Sequence, residues 1–143
     1  MVTLLRKVLQ IPFYARCWNR ALRASASGDW QGVVDSLAPF NARGLATNES
    51  RLWLGNAYCC LRQWDKSVEQ FDQITRRANE PEAEGRRHYN HALALANLGR
   101  ISEAIALLAA EGNSRWPEQL KDKARSLLED LKRGNMTDRR ALH

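Results

Sequence analysis

The sequence predicts an all-α fold, an α-solenoid of about three helix pairs with a short helix before them and a capping helix after them. The pattern of packing residues that starts at Trp30 returns 34 residues later at Trp64 and 37 residues after that at Ile101. A helix with a small residue at one equivalent position precedes each block, and these small residues are Ala21, Gly55 and Ala92. A period in the mid-thirties with two helices per unit is typical of a helical solenoid.

The first helix pair follows a short amphipathic segment, predicted as a helix from Val2 to Gln10. Pro12 interrupts that helix, because a proline inside a helix removes a backbone hydrogen bond and crowds the preceding turn. A long helix is predicted from Phe13 or Tyr14 to Ser27, with Gly28-Asp29 as the turn. Its partner helix ends near Phe40.

The second pair is predicted to begin at Thr47 or Asn48, either of which can cap a helix N-terminus with its side chain. The first helix of this pair runs to about Leu61, and the second runs from about Trp64 to Ala78.

The third pair comes after a linker at residues 79–82 and consists of helices from about Glu84 to Leu98 and from Ile101 to Glu111. A final helix has Pro117 in its first turn, where proline is acceptable. One face of this helix is apolar and the opposite face is charged, as the exposed end of a solenoid requires. The chain therefore divides into a basic N-terminal segment (residues 1–12), a helical domain with its capping helix (residues 13–133) and a polar tail (residues 134–143).

The middle unit resembles a known repeat family. Leu54-Gly55-Asn56-Ala57-Tyr58, then Trp64, then Ser67-Val68 and Phe71 are similar to a tetratricopeptide repeat, which has a Leu-Gly-x-x-Tyr pattern on its first helix. The resemblance spans roughly residues 14–112. It implies a right-handed array whose first helices line a concave groove, and a protein that acts by holding another chain.

Composition and charge further limit the class of protein, its compartment and its partners. The chain has 143 residues, 44% of them hydrophobic and 27% charged, as in an ordinary globular domain. Three cysteines (Cys17, Cys59 and Cys60) lack metal-ligand spacing and favour a reducing, intracellular, cytoplasmic compartment. Residues 1–28 hold five basic and no acidic side chains, whereas the remainder holds 17 basic and 16 acidic ones. A nucleic-acid-binding solenoid would spread its cations along one face, so no nucleic acid is expected as a partner.

The N-terminal segment is a candidate for docking to an anionic membrane surface or to a partner protein. Its apolar stripe and the adjacent cations comprise Leu4, Leu5, Arg6, Lys7, Val8 and Leu9. Peripheral association with a membrane is compatible with this pattern, and so is organellar targeting, because mitochondrial transit peptides are also rich in arginine and poor in acids.

A partner-binding groove is predicted on the side of each first helix that lies opposite its packing stripe. Its residues are Trp18, Leu22, Leu52, Trp53, Asn56, Arg86, Tyr89, Asn90 and Leu93. Three aromatic residues recur at nearly equivalent places in this set, and aromatic anchors are enriched in binding hot spots. Two alternatives stay open: the chain's own N-terminal helix fills the groove, or the rings only cover neighbouring helices.

Catalytic and metal chemistry have little support in the sequence. It contains no glycine-rich phosphate loop, nucleophile elbow or paired-carboxylate motif, so an enzyme is not expected and neither is a cofactor. His88 and His91, with Glu84 a turn earlier, leave most positions of a metal coordination shell empty and are assigned to packing.

The leading interpretation is therefore a non-enzymatic adaptor that binds a peptide or helix of a partner protein in the groove. The alternative is a peripheral membrane or assembly subunit of a larger complex, docked through its basic N-terminal helix.

Overall fold

The protein is all-helical in the part of the chain that its structure, a computed structural model, describes: residues 11–76, 79–110, 115–136 and 138–143. Helices make up 76% of these residues, and none of the residues forms a strand, which confirms the predicted all-α class. The α-helices, in chain order, are α1 (Ile11–Ala26), α2 (Trp30–Phe40), α3 (Asn48–Cys60), α4 (Trp64–Asp72), α5 (Pro81–Asn97), α6 (Ile101–Ala109) and α7 (Glu118–Lys132). Within these residues, no helix combines the length and the apolar character needed to cross a membrane.

The helices associate mainly as sequential pairs. The most extensive contacts join α1 to α2, α3 to α4, and α5 to α6, and each pair also contacts the next through α2 and α3 or through α4 and α5. Helix α3 additionally touches α5, and α5 touches α7. Helix α5 therefore has neighbours on several sides, which gives it the most buried position in the fold.

Side-chain caps and glycine turns set the helix boundaries. The Thr47 hydroxyl accepts a hydrogen bond from the Ser50 amide at 3.0 Å, and the Ser50 hydroxyl accepts one from the Thr47 amide at 2.9 Å. This reciprocal capping box confirms that Thr47 caps the third helix. Asp29 caps α2 in the same way by accepting from the Gly32 amide at 2.9 Å. Gly28, in the turn before it, has φ 72, a left-handed conformation that favours glycine.

The small residues of the repeat lie where paired helices cross closely. Ala21 and Ala92 are completely buried. A Cβ added to Gly55 would lie 2.5 Å from the Phe71 ring, and the Ser67 hydroxyl donates to the Gly55 carbonyl at 2.8 Å. The absence of a side chain at Gly55 therefore allows α3 and α4 to approach until ring and backbone touch.

Two helix boundaries differ from the prediction by three residues or more. Helix α4 ends at Asp72 instead of Ala78, because α3 side chains bind the backbone beyond it: Asn48 accepts from the Thr75 amide at 3.2 Å and Arg51 donates to the Gln73 carbonyl at 3.4 Å. Helix α5 begins at Pro81, three residues before the predicted start. Proline is already shaped for the first helical position and lacks the amide hydrogen that would be unpaired there.

The apolar interior forms two clusters. The first fills the space between α1, α2 and α3 with Ala21, Val33, Val34, Leu37, Leu54 and Ala57. The second is centred on α5 and reaches α6 and α7, and Ala141 and Leu142 from the end of the chain pack against it.

Candidate functional site

The side chain of Asn90, on α5, is the centre of the most distinctive polar arrangement in the described residues. Asn90 is fully buried. Its Nδ2 donates to the Asn56 Oδ1 at 2.9 Å and to the Leu142 carbonyl at 2.8 Å, while its Oδ1 accepts from the Leu142 amide at 2.8 Å. One carboxamide thus binds both backbone groups of a residue 52 positions away in the chain.

The bound backbone belongs to residues 138–143, here called the tail segment, which comes back over the helices after α7. The Arg139 guanidinium pairs with the Asp130 carboxylate and donates to the Ser126 hydroxyl at 2.8 Å. It also lies beside the Tyr89 hydroxyl; burial raises the pKa of that hydroxyl, and the guanidinium opposes the rise. At the exposed start of the segment, Asp138 pairs with Arg62 at 2.9 Å.

Apolar and ring contacts complete the binding of the tail segment. Ala141 and Leu142 are partly buried against the second apolar cluster. The His143 ring lies against the Trp30 ring, with their centroids 5.0 Å apart. The segment is therefore held by its charged, apolar and aromatic side chains as well as by its backbone.

Shallow cavities surround the tail segment. The first has a volume of about 170 Å³, and its lining includes Trp53, Asn56, Arg86 and His143. Two neighbours of about 260 Å³ each also contain His143 in their walls; one extends along α7 past Arg86, and the other lies near Trp30 and Cys60. Leu52, Trp53, Asn56 and Arg86 line the first cavity, and Asn56 accepts a hydrogen bond from the buried Asn90 behind it; we call these five residues the Asn90 surface.

The structure brings several of the predicted groove residues together. The Trp18 and Trp53 rings touch, with centroids 5.4 Å apart, and Leu52, Trp53, Asn56 and Arg86 line one cavity. Leu22, 42% exposed on α1, lies outside that lining.

Tyr89 and Leu93 occupy a different place, in the interior. Tyr89 is 3% exposed and Leu93 is fully buried, both within the second apolar cluster. Helix α5 is covered by α6 on one side and by α7 and the tail segment elsewhere, so its side chains have little open surface to face.

The predicted docking residues Leu4, Leu5, Arg6, Lys7, Val8 and Leu9 lie outside the described residues.

The histidines of α5 are partly buried, and each lies against a carboxylate. His88 lies 2.9 Å from the Glu84 carboxylate, which also pairs with Arg87, and His91 lies 3.1 Å from the Asp72 carboxylate. Burial lowers the pKa of His91 to about 4, although Asp72 acts in the opposite direction. Among the described residues, no group of three or more His, Cys, Asp or Glu side chains is placed to hold a metal ion.

The principal residues that sequence reasoning missed are those of the tail segment, which was assigned to a polar tail. The only signal in the sequence that this stretch packs on the domain is the apolar pair Ala141-Leu142. The signal is weak, because two apolar residues are too few to establish a period. The sequence places Asn90 in the open groove; the structure buries it fully, and its binding of Leu142 depends on a contact across 52 residues.

Comparisons with family models, with curated proteins and with solved structures found no match to this chain. The resemblance to tetratricopeptide repeats therefore rests on the residues quoted above.

Proposed function

We propose that the protein is a non-enzymatic, intracellular adaptor that binds an extended segment of a partner protein on the Asn90 surface. The proposal assigns the described helices to a right-handed solenoid of three tetratricopeptide-like pairs with α7 as the capping helix.

The packing of the helices supports the solenoid. Contacts are strongest within α1–α2, α3–α4 and α5–α6, and each pair touches the next, which is the nearest-neighbour pattern of a repeat array. The first helices of successive pairs also meet side by side. Trp18 touches Trp53, and Asn56 is hydrogen-bonded to Asn90. Three first helices then present one surface, as a groove requires.

The observation that carries the function is the pair of hydrogen bonds between Asn90 and the Leu142 backbone. A buried carboxamide that is left without partners costs about 1–3 kcal/mol for each unmet group. Asn90 meets that requirement by binding the amide and carbonyl of a segment without regular secondary structure, a contact that does not depend on the identity of the bound residue. The surface is thus built to receive peptide backbone, with Trp53 and Arg86 beside it to contact side chains.

A display selection tests this proposal. The intact protein is immobilised and used to select binders from a random-peptide library, and the selected peptides are then measured against variants. Trp53→Ala should weaken the binding of selected peptides by about tenfold or more, since truncating an aromatic anchor typically costs at least about 2 kcal/mol. Glu69→Ala, an exposed position on α4, is the control and should leave binding unchanged.

Circular dichroism and thermal melting establish whether each variant is folded. If Trp53→Ala unfolds because it loses its contact with Trp18, then Arg86→Ala on the same cavity wall supplies the comparison. Failure to select any peptide whose binding depends on Trp53 or Arg86 would contradict the proposed function.

A second candidate function is a peripheral membrane or assembly subunit, and a stripe of cations on α1 favours it. Arg16, Arg20 and Arg23 are all exposed and lie at helical spacing on one face. In the described part of the chain, none of the three has a carboxylate within ion-pair distance. In the sequence the stripe follows the acid-free N-terminal segment, so the basic residues of both could face an anionic surface.

Vesicle sedimentation distinguishes this candidate from the first. The intact protein should bind vesicles that contain phosphatidylserine, and Arg16→Glu with Arg20→Glu should abolish that binding. Peptide binding at the Asn90 surface should be unaffected by those changes. Equal sedimentation of wild type and variant would refute membrane docking through α1.

A further inference from the structure

We propose that the tail segment, residues 138–143, is an internal ligand of the Asn90 surface, and that the external partner carries a matching extended sequence with an arginine three residues before a leucine. This inference rests on the proposed function, because it names what the peptide-binding surface recognises and what must leave before a partner binds.

The contacts of the arginine are those of a recognition site. Arg139 donates to Ser126 at 2.8 Å and pairs with Asp130, and its side chain is only 18% exposed. The Tyr89 hydroxyl also lies beside the guanidinium. Arg140 provides the contrast within the same segment: it is exposed, and the structure gives it no ion pair among the described residues. A charged guanidinium so nearly enclosed requires a dedicated anionic partner, so this position selects a cation.

The leucine position selects differently. The Leu142 backbone is bound by Asn90 through two bonds of 2.8 Å, which fixes the register of the segment. The Leu142 side chain then packs on the second apolar cluster, and His143 places its ring against Trp30. Arg139, Leu142 and His143 occupy the sites that a partner segment needs. A partner that replaces the tail segment must therefore carry side chains of the same chemistry at these positions.

Covalent linkage gives the tail segment an advantage over any partner. Only residues 133–137 separate it from α7 in the sequence, and so short a connection gives an effective concentration on the order of millimolar. An external peptide with an affinity of about 100 μM then loses about tenfold or more in apparent affinity while the segment is bound. The intact protein is therefore held in a closed state that a partner must open.

The experiment combines occupancy with competition. Amide hydrogen exchange of Leu142 reports whether the segment is bound in the intact protein. A fluorescent synthetic peptide of residues 138–143, Asp-Arg-Arg-Ala-Leu-His, is titrated by anisotropy against wild type, Arg139→Glu, Leu142→Asp and Arg140→Glu. The last variant makes the same charge change as Arg139→Glu at the exposed neighbouring position, so it is the matched control.

The expected result has three parts. The Leu142 amide is protected in wild type and in Arg140→Glu but exchanges freely in Arg139→Glu and in Leu142→Asp, whereas the α5 amides stay protected in all four. The peptide binds both tail variants about tenfold more tightly than wild type or Arg140→Glu. A peptide with its first arginine replaced by alanine binds them weakly.

Other outcomes overturn the inference, and they separate it from the proposed function. A Leu142 amide that exchanges freely in wild type shows that the segment is not an internal ligand. If the Leu142 amide exchanges freely while the binding of selected peptides still depends on Trp53, the proposed function stands. A protected Leu142 amide together with unchanged peptide affinity across the variants shows that tail and peptide do not compete. A wild-type dimer that becomes a monomer on Arg139→Glu assigns the segment to a second copy of the chain, against the internal arrangement.

Discussion

Asn90→Asp tests the central feature of the site with the smallest change of shape. The substitution exchanges the amide nitrogen for oxygen and keeps the side chain's volume. In the wild type that nitrogen donates to the Asn56 Oδ1 at 2.9 Å and to the Leu142 carbonyl at 2.8 Å. The introduced carboxylate donates to neither and places its negative charge against two oxygen atoms. It still accepts from the Leu142 amide, so one of the three bonds remains.

The structure gives the size of the effect. Each lost bond leaves a partly buried acceptor unsatisfied at about 1–3 kcal/mol, so the closed state loses about 2–6 kcal/mol in total. Release of the tail segment limits this loss, because water then reaches the carboxylate. We therefore expect the Leu142 amide to exchange about 100-fold faster than in wild type, while the α5 amides change little.

The pH dependence has a definite sign. Burial of the introduced carboxyl against two oxygens favours its protonated form in the closed state. The closed state then binds more protons than the open one, so closure strengthens as the pH falls. Protection of the Leu142 amide should partly return between about pH 7 and pH 5.

Asn97→Asp is the control, since it makes the same substitution two turns further along α5 at an exposed residue that donates only to the Leu93 carbonyl. Leu142 protection should not change in that variant. If Asn90→Asp also leaves the Leu142 amide as protected as in wild type, then the carboxamide does not hold the segment and the reasoning from its hydrogen bonds is wrong.

Three further predictions concern the helical framework. Gly55→Ala should lower the free energy of unfolding in urea by about 1 kcal/mol, because overpacking against Phe71 costs about 1–3 kcal/mol and the helix gains only about 1 kcal/mol. In a double-mutant cycle, Phe71→Leu should reduce that penalty. Burial lowers the pKa of His91 from 6.5 to about 4. The buried neutral His91 therefore makes its full contribution to stability above pH 6.5, and that contribution is lost as the pH falls from 6.5 toward 4. Over that range the urea midpoint of His91→Gln should decline less than that of wild type. Burial raises the pKa of Cys59 to about 12, so mass spectrometry should find iodoacetamide on Cys59 at about pH 8 only after unfolding.

The sequence predicted most of the helical framework because local signals determine it. The repeat from Trp30 to Trp64 to Ile101 marks the starts of α2, α4 and α6. Thr47 caps α3 as its side chain predicts, and Gly55 lies at a close helix crossing. Each of these features depends on residues within one or two helical turns, or on a packing contact that the period itself reveals.

The site was only partly predictable, because its contacts join distant parts of the chain. Tyr89 and Leu93 were assigned to an open groove, yet α5 is buried on several sides. The unbroken apolar run from Ala92 to Ala96 is the signal of that burial, since a helix that is apolar all round lies in the interior. Gly85 gives a second signal, because Leu120 and Trp116 occupy the space where its side chain would be.

The burial of Asn90 makes the occupancy of its surface a requirement of the fold as well as a route to binding. With the tail segment in place, both donors of the carboxamide are used, and no solvent reaches the residue. If the surface were empty, the Asn90 Nδ2 hydrogen that donates to Leu142 would have only water as a partner or none at all. A buried donor without a partner costs about 1–3 kcal/mol. The proposed partner would satisfy the same atoms as the tail segment, so either occupant would stabilise the helices around α5. Because the two exclude each other on the Asn90–Leu142 bonds, binding of the partner must release residues 138–143 into solvent, and the freed Arg139 and His143 then report that exchange.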